Sequence, residues 1–181
     1  IRQSGWAKLN GLWYHLDNEN GAMAENTTRQ VDGKMYAFNS AGVMQAHKWY
    51  KIGDEWYYLN GGGDAAMGWK KLGGFWYYFD KQTARMLTGS HQIDGHIYLF
   101  AASGSMQANK WFKQGNEWYY LGGSGAAAKG WKKDGGLWYY MNTQSAKMQT
   151  GVQSIDGEMY VLRASGSMVA NAWNNKGNDW D

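Results

Sequence analysis

The sequence predicts an all-β fold, a solenoid of about nine consecutive β-hairpins, and three observations carry that expectation. Twelve Trp, thirteen Tyr and twenty-six Gly stand beside no Pro and few Leu, Ile or Val, so the interior has to be built from rings stacked locally. A unit of about 20 residues recurs, starting near Trp6, Thr28, Trp49, Trp69, Ser90, Trp111, Trp131, Val152 and Trp173. Every unit also carries a two-residue turn signal between short aromatic segments.

Those signals are Asn10-Gly11, Asp32-Gly33, Gly53-Asp54, Gly73-Gly74, Asp94-Gly95, Gly115-Asn116, Gly135-Gly136, Asp156-Gly157 and Gly177-Asn178. Such dipeptides tolerate the positive φ of a type I′ turn and so predict hairpins. A second period lies over the first, because Trp49, Trp111 and Trp173 recur every 62 residues (111 − 49 and 173 − 111). The chain thus reads as a single repeat module over 1–181, in blocks of three hairpins with the last repeat truncated. The middle hairpin of each block, containing Tyr36, Tyr98 or Tyr160, has lost both Trp positions.

Register turns this pattern into candidate sites. With Gly73-Gly74 as the turn, Trp69 faces Tyr78 and Lys71 faces Trp76, so these four share one face, while Leu72, Phe75, Tyr77 and Phe79 share the other. An isolated hairpin is marginal in water, so one face of each must meet the opposite face of its successor. Two Trp rings from one repeat and one Tyr ring from the next then surround a gap. Five complete boxes follow: Trp6, Trp13 and Tyr36; Trp49, Trp56 and Tyr77; Trp69, Trp76 and Tyr98; Trp111, Trp118 and Tyr139; Trp131, Trp138 and Tyr160. Trp173 and Trp180 lack a following partner.

Linker methionines Met23, Met67, Met86 and Met148, each preceding the next repeat, are expected to close the floors of the first, second, third and fifth boxes with a soft thioether contact. Lys129 stands where Met67 stands in the second box, which sets the fourth box apart. Where a middle hairpin presents Thr28 and Met35, Ser90 and Ile97, or Val152 and Met159, a dry packing joint is expected instead. Lysines two residues after the first Trp, such as Lys8 and Lys51, are read as stems lying over the cross-strand Trp, with a contact to a ligand phosphate as the alternative.

Three angled rings attract a cation with an apolar rim, and a quaternary ammonium fits better than a hydrated ammonium. Other functions find less support. The net charge of +3 is spread, not clustered, which argues against nucleic acid. No Cys is present, no acid–histidine cluster suggests a metal, no run of about 18 apolar residues suggests a membrane span, and no paired carboxylates suggest catalysis. No cofactor is expected. Beginning at Ile1 and stopping partway through a repeat, the chain reads as a piece of a longer secreted protein, with room for a wall hydrolase in the remainder.

The run Gly68-Trp69-Lys70-Lys71 through Trp76-Tyr77-Tyr78-Phe79, repeated as Gly130-Trp131-Lys132-Lys133 through Trp138-Tyr139-Tyr140, resembles the choline-binding, cell-wall-binding repeats of Gram-positive surface proteins and lysins. That resemblance covers essentially the whole chain. It implies a β-hairpin superhelix that holds choline or phosphocholine of teichoic acids between successive hairpins, in cages of two Trp and one Tyr, often with a Met. It also implies an extracellular, cell-wall location and a non-catalytic role. The middle hairpins, as at Ile93-Asp94-Gly95 and Ile155-Asp156-Gly157, look more like glucan-binding and clostridial-toxin repeats, so a carbohydrate module is the alternative. A structural stalk with every ring buried is a third reading.

Overall fold

Strands of five residues pair in sequence order into antiparallel hairpins. The computed structural model describes residues 3–169; the expected ninth hairpin, with Trp173 and Trp180, lies outside the described residues. The pairs are β1 (Gly5–Leu9) with β2 (Leu12–Leu16), β3 (Thr27–Val31) with β4 (Lys34–Phe38), β5 (Lys48–Ile52) with β6 (Glu55–Leu59), and β7 (Gly68–Leu72) with β8 (Phe75–Phe79). They continue with β9 (Gly89–Ile93) and β10 (His96–Phe100), β11 (Lys110–Gln114) and β12 (Glu117–Leu121), β13 (Gly130–Asp134) and β14 (Leu137–Met141), and β15 (Gly151–Ile155) and β16 (Glu158–Leu162). Among the described residues no helix is long and apolar enough to cross a membrane.

The expected register is the observed one, with Trp69 opposite Tyr78, Lys71 opposite Trp76 and Leu72 opposite Phe75. Turn chemistry differs in two hairpins. Asn10 and Gly11 both take positive φ (50° and 80°), as type I′ requires, whereas at Gly53-Asp54 and Gly115-Asn116 only the glycine does (59° in each). Glycine in first place suits the II′ alternative, which spares the following Asp or Asn a left-handed backbone.

The described residues divide into two compact units, 3–88 with 102–105 and 89–101 with 106–169. Each has its own core. In the first, the last residues of β4, β6 and β8 (Phe38, Leu59 and Phe79) are fully buried; in the second, Phe100, Leu121, Met141 and Leu162 hold the same place. These positions are buried because each linker folds back to bridge them, as Met44 does to Phe38 and Met148 to Met141. Side chains on the linkers hold the bends: Asp80 Oδ1 accepts from the backbone N–H groups of Gln82 and Thr83, and Asn142 Oδ1 from those of Gln144 and Ser145.

Successive hairpins within a unit are tied by one recurring backbone bond. Met44 N–H donates to the Trp13 carbonyl at 2.8 Å, Ala65 to Met35 at 2.7 Å and Met86 to Trp56 at 2.8 Å. In the second unit Ala127 donates to Ile97, Met148 to Trp118 and Met168 to Trp138. A linker therefore reaches back to the hairpin before its own.

Candidate ligand cages

In the first unit, Trp6 meets Trp13 edge-on at 6.2 Å and 87°, and Tyr36 of the next hairpin at 4.8 Å and 78°. Trp49 repeats this with Trp56 (6.4 Å, 83°) and Tyr77 (4.9 Å, 68°). In the second unit, Trp111 meets Tyr139 at 4.8 Å, while Trp131 meets Trp138 at 6.4 Å and Tyr160 at 4.8 Å. Four of the expected sets are thus brought together. Of the remaining set, Trp69 and Trp76 lie in the first unit as an edge pair at 6.4 Å. Tyr98 belongs to the second, half-buried beside His96.

Open space accompanies the rings. A cavity of about 330 Å³ is lined by Trp6, Trp13 and Tyr36, one of about 400 Å³ by Trp49, Trp56 and Tyr77, and one of about 330 Å³ by Trp111, Trp118 and Tyr139. The second Trp of each pair stays 39–42% exposed, so one ring face remains at the mouth. The cage tyrosines Tyr36, Tyr77, Tyr139 and Tyr160 are half-buried.

Joints led by a middle hairpin are different. There Tyr57 and Tyr119, the counterparts of the cage tyrosines, are 4% exposed. Tyr57 packs with Ala37, Leu59, Ala65 and Ala84, joined by Met35; Tyr119 packs with Ile97, Leu99, Leu121, Ala127 and Ala146. The joints after β4 and β10, expected to be dry, close on this apolar packing, and the partner of the third, led by Val152 and Met159, lies outside the described residues. With Met35 or Ile97 in place of a Trp pair, no second indole props the joint open.

The methionines need correction. Met86, expected in the third box, lines the second cavity, and Met148, expected in the fifth, lines the fourth, while the first takes Met44, which the sequence reading passed over. Met67 does not line the second cavity; it packs against the Tyr57 cluster. The cause is a two-residue offset: Met67 directly precedes Gly68, whereas Met86 stands three before Gly89, at the bridge position where the linker reverses. Lys129 therefore leaves the fourth cage wall intact, and its ammonium donates to the Gly95 carbonyl at 3.2 Å. Met23 is exposed and lies against Gly42.

A third repeat contributes as well. Gly62 lines the first cavity, Ala102 and Ser103 the second, and Ala164 and Ser165 the fourth, so small residues of the linker after the next hairpin form the far wall. One legible signal was available: the backbone position that donates across a joint is Met at a cage (Met44, Met86, Met148, Met168) and Ala at a dry joint (Ala65, Ala127).

Lysine ammoniums sit 5.4–5.9 Å from the second Trp ring in four repeats, Lys8 over Trp13, Lys51 over Trp56, Lys113 over Trp118 and Lys133 over Trp138. This agrees with stems laid across the strand. Among the described residues no group of three or more acids, histidines or cysteines is arranged to hold a metal ion.

Comparison with known proteins gives the same picture. The family model described as choline-binding repeat matches residues 66–111, and the one described as putative cell wall binding repeat matches 4–23, 47–65, 109–127 and 129–144, together more than half of the chain. Both describe binding repeats and neither describes a catalytic domain. Among solved structures, the chain is similar to choline binding protein F of Streptococcus pneumoniae, with 31% identity over 92% of this chain and 57% of that one (TM-score 0.67). It is also similar to CbpJ of the same organism, with 29% identity, 92% and 58% coverage and a TM-score of 0.67. The choline-binding domain of CbpL from Streptococcus pneumoniae matches at 28% identity, 92% and 87% coverage and a TM-score of 0.61. The chain spans somewhat over half the length of the first two. No curated protein sequence matches it.

Proposed function

Because the chain belongs to the choline-binding repeat family, we propose that it is a non-catalytic attachment module at the bacterial cell surface, seating the choline headgroups of teichoic acids in its aromatic cages. Four Trp–Trp–Tyr sets are assigned this role: those led by Trp6, Trp49, Trp111 and Trp131. A methionine closes each of the first three.

The observation that carries the reading is the contrast between two kinds of joint. Where the pairs led by Trp6, Trp49 and Trp111 stand, a ring-lined cavity stays open; where the pair is missing, the equivalent Tyr is buried in aliphatic packing. A trimethylammonium group is apolar at its rim and charged at its centre, so it suits ring faces that water solvates poorly. Each cation–ring contact contributes about 0.5–2 kcal/mol, and three give the few kcal/mol that correspond to roughly millimolar binding. Several cages engaging one polymer then raise the overall affinity without new contacts. A relative, choline binding protein F, has been crystallised in the presence of a peptidoglycan analogue, and CbpF in complex with ipratropium, which supports a wall setting and a taste for bulky cationic ligands.

Intrinsic Trp fluorescence tests the proposal. Saturable change with millimolar choline but none with dextran is the expected outcome. A response to dextran alone would transfer the cages to carbohydrate, and silence to both would make the array a structural stalk.

A further inference from the structure

The second and fourth cages form a matched pair, because the chain repeats at 62 residues (111 − 49, 139 − 77). The rings, methionine, alanine and serine lining the second cavity recur with the same identities in the fourth. Lys51 lies 5.9 Å from Trp56, as Lys113 does from Trp118, and Lys70 covers Tyr58 as Lys132 covers Tyr120. Even the ion pair beside the methionine is repeated, Arg85 to Glu55 at 3.5 Å and Lys147 to Glu117 at 3.3 Å.

The match breaks in two places around the first Trp: Trp49 packs on the Phe79 ring at 5.7 Å, where the position 62 residues on is Met141, and the strand end of the next hairpin changes as well. Leu72 ends β7, but Asp134 ends β13, and its carboxylate Oδ2 accepts a hydrogen bond from Trp111 Nε1–H at 2.9 Å. A leucine has no acceptor to offer the corresponding indole. The neighbouring lysines do not turn toward this carboxylate: Lys132 lies 4.4 Å from the Tyr120 ring and Lys133 5.8 Å from that of Trp138. We propose that Asp134 is a specificity-determining residue of the fourth cage, making it bind quaternary ammonium ions more tightly than the second cage, which has Leu72 at that position. This rests on reading the cages as choline sites.

Two effects act in the same direction. A carboxylate hydrogen-bonded to an indole N–H pushes electron density into the ring and deepens the negative potential of the face offered to a cation. The half-buried negative charge also attracts the ligand directly, through a medium that screens less than bulk water. An uncharged ligand of the same shape gains neither.

The test follows the indole Nε1–H resonances of Trp49 and Trp111 in the whole chain during titration with choline chloride, then with 3,3-dimethylbutan-1-ol, its neutral carbon isostere. Trp111 should half-saturate at roughly two- to fivefold lower choline than Trp49, the range an exposed ion pair contributes. That gap should shrink in high salt and vanish with the neutral isostere. Asp134→Asn keeps a hydrogen-bond acceptor but removes the charge, and should shift the Trp111 curve roughly two- to fivefold to higher choline. Leu72→Asp should tighten the Trp49 curve by a similar factor. A Trp111 curve indifferent to Asp134→Asn, or a Trp49 curve indifferent to Leu72→Asp, overturns the proposal while leaving the cages as choline sites. Silence of both indoles overturns it together with the reading beneath it.

Discussion

His15 stands where the other cages have a tyrosine. Tyr58, Tyr78, Tyr120 and Tyr140 each meet the first Trp of their hairpin edge-on at 5.0–5.4 Å, and His15 meets Trp6 at 5.0 Å. Its Nδ1 lies 3.1 Å from the Arg29 guanidinium, so the neutral ring accepts there and carries its proton on Nε2. Burial, and then the Arg29 charge, push the His15 pKa below the ordinary histidine value, against weaker upward pulls from Asp17 and Asp32. The unfolded chain therefore binds the proton more readily. Stability of the first unit is fully present above about pH 6.5 and is lost as pH falls from there through the lowered folded value. Thermal melts between pH 7.5 and 5 should record that loss, and His15→Tyr should flatten it; an equally steep loss in the variant would remove His15 as its source. At the second Trp, Trp118→Ala should weaken choline binding at the fourth cage roughly tenfold, since one ring contributes up to about 2 kcal/mol. The Trp49 cage should titrate as before, and a general loss of binding would contradict the locality of the contacts.

Linkers decide whether a joint opens. At Met44, Met86 and Met148 the linker donates a backbone bond to the Trp behind it and lays a thioether into the cavity, whereas Ala65 and Ala127 make the same bond and leave the joint to close on Met35 or Ile97. Room for that thioether comes from a glycine in the next linker. A Cβ at Gly104 would fall on the Met86 sulfur, and the backbone there has φ +84°. Gly104→Ala should therefore cost about 1–2 kcal/mol in backbone strain and also weaken the second cage by displacing Met86. Gly11→Ala, with φ +80° and nothing within 4 Å, should show strain alone. Choline titration with thermal melting checks the difference, and unchanged second-cage affinity in Gly104→Ala would count against the floor role of Met86. Hairpins were legible in the sequence because a turn dipeptide fixes register, and register fixes which rings share a face. The methionines were misread because a cage draws on three successive repeats, and the offset between Met67 and Met86 shows only when the linker folds back. The hydrogen bond of Asp134 to Trp111 was equally hidden, since it spans two hairpins.

For the whole molecule, contacts run between neighbouring repeats inside each unit, so damage to one cage should stay local while attachment to a polymer depends on their number. On a resin bearing choline-like quaternary ammonium groups, removing a Trp from one cage should lower slightly the free choline needed for elution, and removing one from two cages should lower it far more than twofold. Elution in simple proportion to cage number would mean that the cages act independently. The most direct test is a crystal of the chain soaked in choline. Density for a trimethylammonium group is expected between Trp49, Trp56 and Tyr77, floored by Met86, and between Trp111, Trp118 and Tyr139, floored by Met148, with none at the Tyr57 and Tyr119 joints. Indoles closed on one another with nothing between them, or choline bound only elsewhere, would contradict the account.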